Sequence, residues 1–110
     1  MIHVITAQVT PQQMKDMLEA LHTYVKLAVD IERRVVAGGG ALHADCEAVL
    51  LEDGSLQQDI WGAGWYPESQ EVGFESLINI RPKQGNRSIA ISSPALCAAI
   101  AVIVRERFQA

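Results

Sequence analysis

Between Ala37 and Pro67 the chain reads AGGGALHADCEAVLLEDGSLQQDIWGAGWYP, which gathers His43, Asp45, Cys46, Glu47 and Asp59 beside Trp61 and Trp65. An imidazole among carboxylates is suited to hold a metal or carry a proton, because its ordinary pKa lies near neutrality and neighbouring carboxylates raise it. Read as a strand, the segment alternates Leu42, Ala44, Cys46, Ala48 and Leu50 against His43, Asp45 and Glu47. Period two then sets the three polar side chains on one side, roughly 6.5 to 7 Å apart along the strand. On that reading His43, Asp45 and Glu47 are the candidate metal ligands. Asp59, Glu75 or Asn79 from neighbouring strands complete the cluster, and Asn79 with Arg81 orients an anionic substrate. The same alternation turns the Cys46 thiol to the opposite side. A nucleophilic cysteine needs its base within hydrogen-bond reach, so Cys46 reads as a small core residue. The paired Cys spacing of structural zinc sites is absent.

Two further motifs border this segment. Gly38-Gly39-Gly40 is followed neither by a dinucleotide-binding pattern nor by a P-loop lysine, and reads as a hairpin turn using positive φ. In WGAGWYP, Trp61 and Trp65 share parity with the polar side chains of the returning strand, where they form an apolar island amid charge. Large aromatics on an open sheet face mark a ligand, a partner or a second subunit. A bulge at Gly62 or Gly64 would instead turn one Trp inward.

The elements that must position these residues follow from periodicity and punctuation. Ile2 to Val9 is a β-branched first strand. Thr10, Pro11 and Gln13 supply the cap, first position and capping box of a helix over Pro11 to Thr23, with Met14, Met17, Leu18 and Leu21 on one face. From Tyr24 the period is two, with Val25, Leu27, Val29 and Ile31 opposed to Lys26, Asp30 and Glu32. Arg33 to Val36 breaks the alternation before the glycines double the chain back. Asp53-Gly54 predicts the next hairpin, and Gln57 to Trp65 the strand that returns from it. Val72 to Arg81 alternates again until Pro82, Arg87 to Ile91 is a short strand, and Ser93-Pro94 starts a last helix with a broad apolar face. The order predicts a single α+β domain over residues 1–110. Its sheet is mainly antiparallel, both helices pack on one face in two layers, and the other sheet face is open and polar.

Composition bounds the rest. The 110 residues, 49% hydrophobic and 20% charged, fit one domain, and a chain this size buries roughly two thirds of its unfolded surface without needing a disulfide or structural metal. A net charge of -4 argues against nucleic acid as a partner, since binding phosphates requires a basic patch. Two cysteines and a start, MIHVITAQVT, without a charged n-region ahead of a long apolar core point to a reducing, cytoplasmic setting. The longest apolar run, Ala95 to Val104, is about half of a bilayer span.

The motifs VDIE, AGG, LHADCE, LLEDGS, WG, WYP, SLINIRP and NRS, spread over nearly the whole chain, resemble a family of small uncharacterised bacterial proteins found partly in cyanobacteria. The resemblance implies a bacterial cytoplasmic protein and brings no activity, cofactor or catalytic residue with it. From the residues, the leading expectation is a binding or self-associating protein, a homo-oligomer or the partner of another chain. It would use a polar and aromatic sheet face made of His43, Asp45, Glu47, Asp59, Trp61, Trp65, Glu75, Asn79 and Arg81. The alternative is a small metal-dependent or acid/base enzyme acting on a small ligand through the His, Asp and Glu residues of that face.

Overall fold

A computed structural model describing residues 1–110 shows an α+β fold built on a five-stranded antiparallel sheet in the order β1-β3-β2-β4-β5. The strands are β1 (His3–Ile5), β2 (Val25–Asp30), β3 (Val35–Gly38), β4 (Ile60–Tyr66) and β5 (Glu71–Gly73), and the helices α1 (Pro11–Leu18), α2 (His43–Glu52) and α3 (Pro94–Phe108). The capping signals act as read. Thr10 Oγ1 accepts from Gln13 N while the Gln13 side chain accepts from Thr10 N, and Ser93 Oγ accepts from Leu96 N ahead of Pro94.

Register assigns the two faces. Val29 lies opposite Trp61 and Val36, Leu27 opposite Ala63, and Val25 opposite Trp65, so these side chains share one side of the sheet. That side packs with Met17 of α1 and with Ile100, Ile103, Val104 and Phe108 of α3 in the main core. The first and last helices therefore cover one face together, as the sequence pattern requires.

The other face carries Ala28, Ala37 and Ile60, and these pack with Cys46 and Leu50 of α2 in a second apolar cluster. Here the structure corrects the sequence reading, because residues 43–52 are helix rather than strand. Two observations in the sequence explain the outcome. Ala44, Glu47, Ala48, Leu50 and Leu51 are strong helix formers, and the apolar run Val49-Leu50-Leu51 breaks period two while Cys46 and Leu50 fall at i and i+4. Asp53-Gly54 accordingly ends a helix instead of joining strands. Gly54 sits at φ 109, its N–H donates to Leu51 O, and Ser55 N donates to Leu50 O, which is the Schellman pattern.

The chain doubles back earlier than the glycines suggest. Asp30 Oδ1 accepts from Glu32 N and Arg33 N, each at 2.9 Å, and Arg34 adopts φ 58, so β2 and β3 are joined by a tight Asx turn. Gly39, at φ 105, and Gly40 then carry the chain onto the second face, where a Cβ at Gly40 would press on Cys46 Sγ. The expected long strand over 72–81 is shorter. After β5 the chain crosses the open edge of β4 through a 3₁₀ turn at Leu77–Asn79, and Glu75 keeps only a bridge to Ala90.

Candidate functional site

The structure divides the nine side chains that alternation grouped. Trp61 and Trp65 do share a face, but it is the covered one: Trp65 is fully buried against Phe108, ring centroids 6.1 Å apart, and Trp61 is 4% exposed. They form core, not a docking island. Asp59 closes a 3₁₀ turn ahead of β4, where its carbonyl accepts from Ile31 N. Asn79 is fully buried and finishes the edge of β4: its Oδ1 accepts from Gly62 N at 2.7 Å and its Nδ2 donates to Gly62 O at 3.0 Å. The amide takes the place of a strand partner that β5 is too short to provide.

Helical geometry turns Asp45 away from His43 and Glu47, which share a face at i and i+4 but bond to different partners, and no three His, Cys, Asp or Glu side chains converge to hold a metal ion. Glu47 instead meets Arg81, Nη2 to Oε2 3.1 Å, with side chains only 13% and 10% exposed. Arg81 is otherwise saturated by structural bonds: Nε donates to Ile78 O and Nη1 to Gln57 O, and the guanidinium lies 4.9 Å from the Trp61 ring centroid. A cavity of about 550 Å³ opens beside this pair; Glu47 and Arg81 are engaged with each other, and the other charged residue on its lining is the exposed Lys83. Arg81 pins the 78–84 segment to α2 and β4.

His43 and Glu75 do come together, at a groove on the second face. It consists of two adjoining cavities of about 410 and 200 Å³, both lined by Tyr24, His43, Tyr66 and Glu75. Tyr24, just ahead of β2, and Tyr66, the last residue of β4, stack with centroids 5.2 Å apart and planes 6° from parallel. Lys26 borders the groove and donates from Nζ to Ala41 O at 3.0 Å, bracing the loop that leads into α2. The rim is apolar, with Leu42, Leu77 and Ile89 all exposed.

His43 is the first residue of α2 and lies with its ring against β4, Nε2 2.8 Å from Ala63 O. A carbonyl only accepts, so Nε2 carries the proton and Nδ1 holds a lone pair with no hydrogen bond from the protein. Burial lowers the His43 pKa from its ordinary 6.5, the Ala63 bond opposes that change, and the Lys26 ammonium adds to the lowering. The ring is therefore neutral at pH 7. Burial likewise raises the pKa of Cys46, whose thiol donates to Lys26 O, so this cysteine is protonated and packed.

Tyr24 and Tyr66 escaped the sequence reading. The signal lay in β4, where Gly62 and Gly64 alternate with Trp61, Ala63 and Trp65 and leave the face opposite the tryptophans bare.

Fold and site together define a small α+β sheet protein with one face closed by helices and the other partly open as a groove. Residues 3–107 match the family model described as protein of unknown function DUF5674, and the chain belongs to that family. No curated protein and no solved structure matches it. No helix is long and apolar enough to cross a membrane.

Proposed function

We propose that this is a bacterial cytoplasmic binding protein whose working surface is the groove between Tyr24, Tyr66, His43 and the 75–89 segment. One observation carries the reading: Leu42, Tyr66, Leu77 and Ile89, four of the chain's exposed large hydrophobic residues, surround a single concavity that also holds a neutral imidazole and a carboxylate. Exposed apolar side chains scattered singly need no explanation, whereas their clustering around a pocket with a few polar groups marks a binding site. The same rim offers a second copy of the chain its contact surface, which supports the homo-oligomer form of the proposal.

Soaking crystals separately in phenol, isopropanol and acetamide tests the reading. Probes of different chemistry should collect between the tyrosines and His43. A groove empty of all three, with probes gathered elsewhere, would contradict it.

A second reading, acid/base catalysis without a metal, is favoured by the free Nδ1 of His43. An imidazole oriented by a carbonyl and neutral at pH 7 is poised to take a proton. Turnover would then depend on the basic form, so activity on any substrate found should fall as pH drops below 6.5, and a pH profile flat through that range would exclude His43 as the base.

A further inference from the structure

The two edges of the sheet are finished differently. Beyond β5 the chain runs back along its own edge: Ile91 N donates to Phe74 O, Ser76 N donates to Ile89 O, and the Asn79 amide closes the outer side of Gly62. The opposite edge is β1, and no strand of the chain follows it in the sheet.

The phase of the ladder fixes which backbone groups that edge presents. Gly39 N donates to Lys26 O, one step beyond the Leu27–Gly38 pair, and bonded and unbonded pairs alternate along an antiparallel ladder. Ala37 therefore bonds to β2, while Val36 and Gly38 turn to β1 and bond their partners Ile5 and His3. Val4, between those two, directs its N–H and C=O away from the sheet, and no turn or loop takes them up.

The side chains leave this edge unguarded. Natural edges are blunted by lysine, proline or a bulge, and β1 has none of these. Its one ionisable side chain, His3, is occupied by Asp16 at 2.9 Å. On the α2 side Ile2 and Val4 carry the second apolar cluster out to the edge, where both stay half-buried. An uncharged backbone edge with a free N–H and C=O is matched by another of the same kind. We propose that β1 pairs antiparallel with β1 of a second copy, about a twofold axis at Val4. Val4 then exchanges both main-chain bonds with its own counterpart, His3 lies opposite Ile5 instead of another imidazole, and Ile2 lies opposite Thr6 as a β-branched pair on the α2 side. With three residues in β1 the contact is small, so the dimer is weak and depends on concentration. This pairing goes beyond the binding role and uses a different surface: β1 and the strands of the groove, β4 and β5, stand at opposite ends of the sheet, so both grooves stay open.

Sedimentation equilibrium of the full chain over a range of concentrations tests this, together with amide exchange of the same samples. The wild type should dimerise reversibly, and the Val4 amide should be protected in concentrated protein and exchange freely on dilution. Val4→Pro removes only the outward N–H, at an edge position where a strand tolerates proline. It should weaken the dimer by about tenfold or more, whereas Leu77→Glu on the groove rim should leave the dimer intact. A wild type that is monomeric throughout would overturn the pairing. Association kept in folded Val4→Pro would also overturn it, and its loss in Leu77→Glu alone would assign the contact to the rim instead. If Val4→Pro fails to fold, the wild-type exchange decides: a Val4 amide indifferent to concentration overturns the proposal. The solvent soaks judge the groove separately in every case.

Discussion

The two faces of the sheet are built from the same strands and solve different problems. On one, Val25, Leu27, Val29, Trp61 and Trp65 interlock with α1 and α3, and the Trp65 indole N–H and Arg107 Nε of α3 are buried without a partner. On the other, α2 closes only the half over Ala28, Ala37 and Ile60, and beyond its first turn Gly64 of β4 and Gly73 of β5 line a groove. Stability is concentrated on the first face and available chemistry on the second. A helix that starts at His43 puts an imidazole at the boundary between the closed and open halves.

The largest expected effect that could break this contrast is at Trp65. If it is core, Trp65→Ala costs about 3–5 kcal/mol and the variant unfolds at much lower denaturant. A docking residue would cost little stability and would instead change association. Asn79→Leu comes next, because it strips both bonds from Gly62 at a buried sheet edge. The loss should be about 3 kcal/mol by the same denaturation measurement, with the segment that crosses β4 exchanging its amides faster.

A smaller effect belongs to α1. Asp16 accepts from His3 and Gln12, each at 2.9 Å, and those bonds hold its carboxyl below the ordinary 3.8. A carboxyl depressed on folding contributes stability that is complete above its unfolded pKa and lost as pH falls through the folded one. Wild-type stability should therefore fall below pH 3.8 more steeply than that of Asp16→Asn, as read from melts across the acid range. Leu77→Glu should be the mildest for the fold, within about 0.5 kcal/mol, since Leu77 is 77% exposed. Its effect should appear in sedimentation: any self-association of the wild type through the rim weakens in the variant, and association unchanged by the charge would place the contact elsewhere.

Much of the first face was legible because its signals are local. Thr10 with Gln13 and Ser93 with Pro94 name helix starts from a few residues, and Val25, Leu27 and Val29 announce a half-buried strand by alternation alone. The second face was harder for a physical reason. Alternation says which residues share a side, not which side becomes covered, so Trp61 and Trp65 were grouped correctly with each other and assigned to the wrong face. Residues 42–51 satisfy period two only because alanine suits either element, and burying Cys46 and Leu50 on Ala28, Ala37 and Ile60 decides for helix. Of the residues expected to act together, His43 and Glu75 meet in the groove, while Glu47 and Arg81 meet in a structural ion pair. Tyr24 and Tyr66 are far apart in sequence and are joined only by the register of β2 with β4.

The state of the His43 ring is the most direct test of the groove as a site. A pH titration of the imidazole nitrogens by NMR should find the proton on Nε2, a free Nδ1, and a pKa below 6.5. A proton on Nδ1 of the neutral ring would mean that it is not held on Ala63, and a pKa above 6.5 would mean that burial does not govern it; with either result the account of this face would fail.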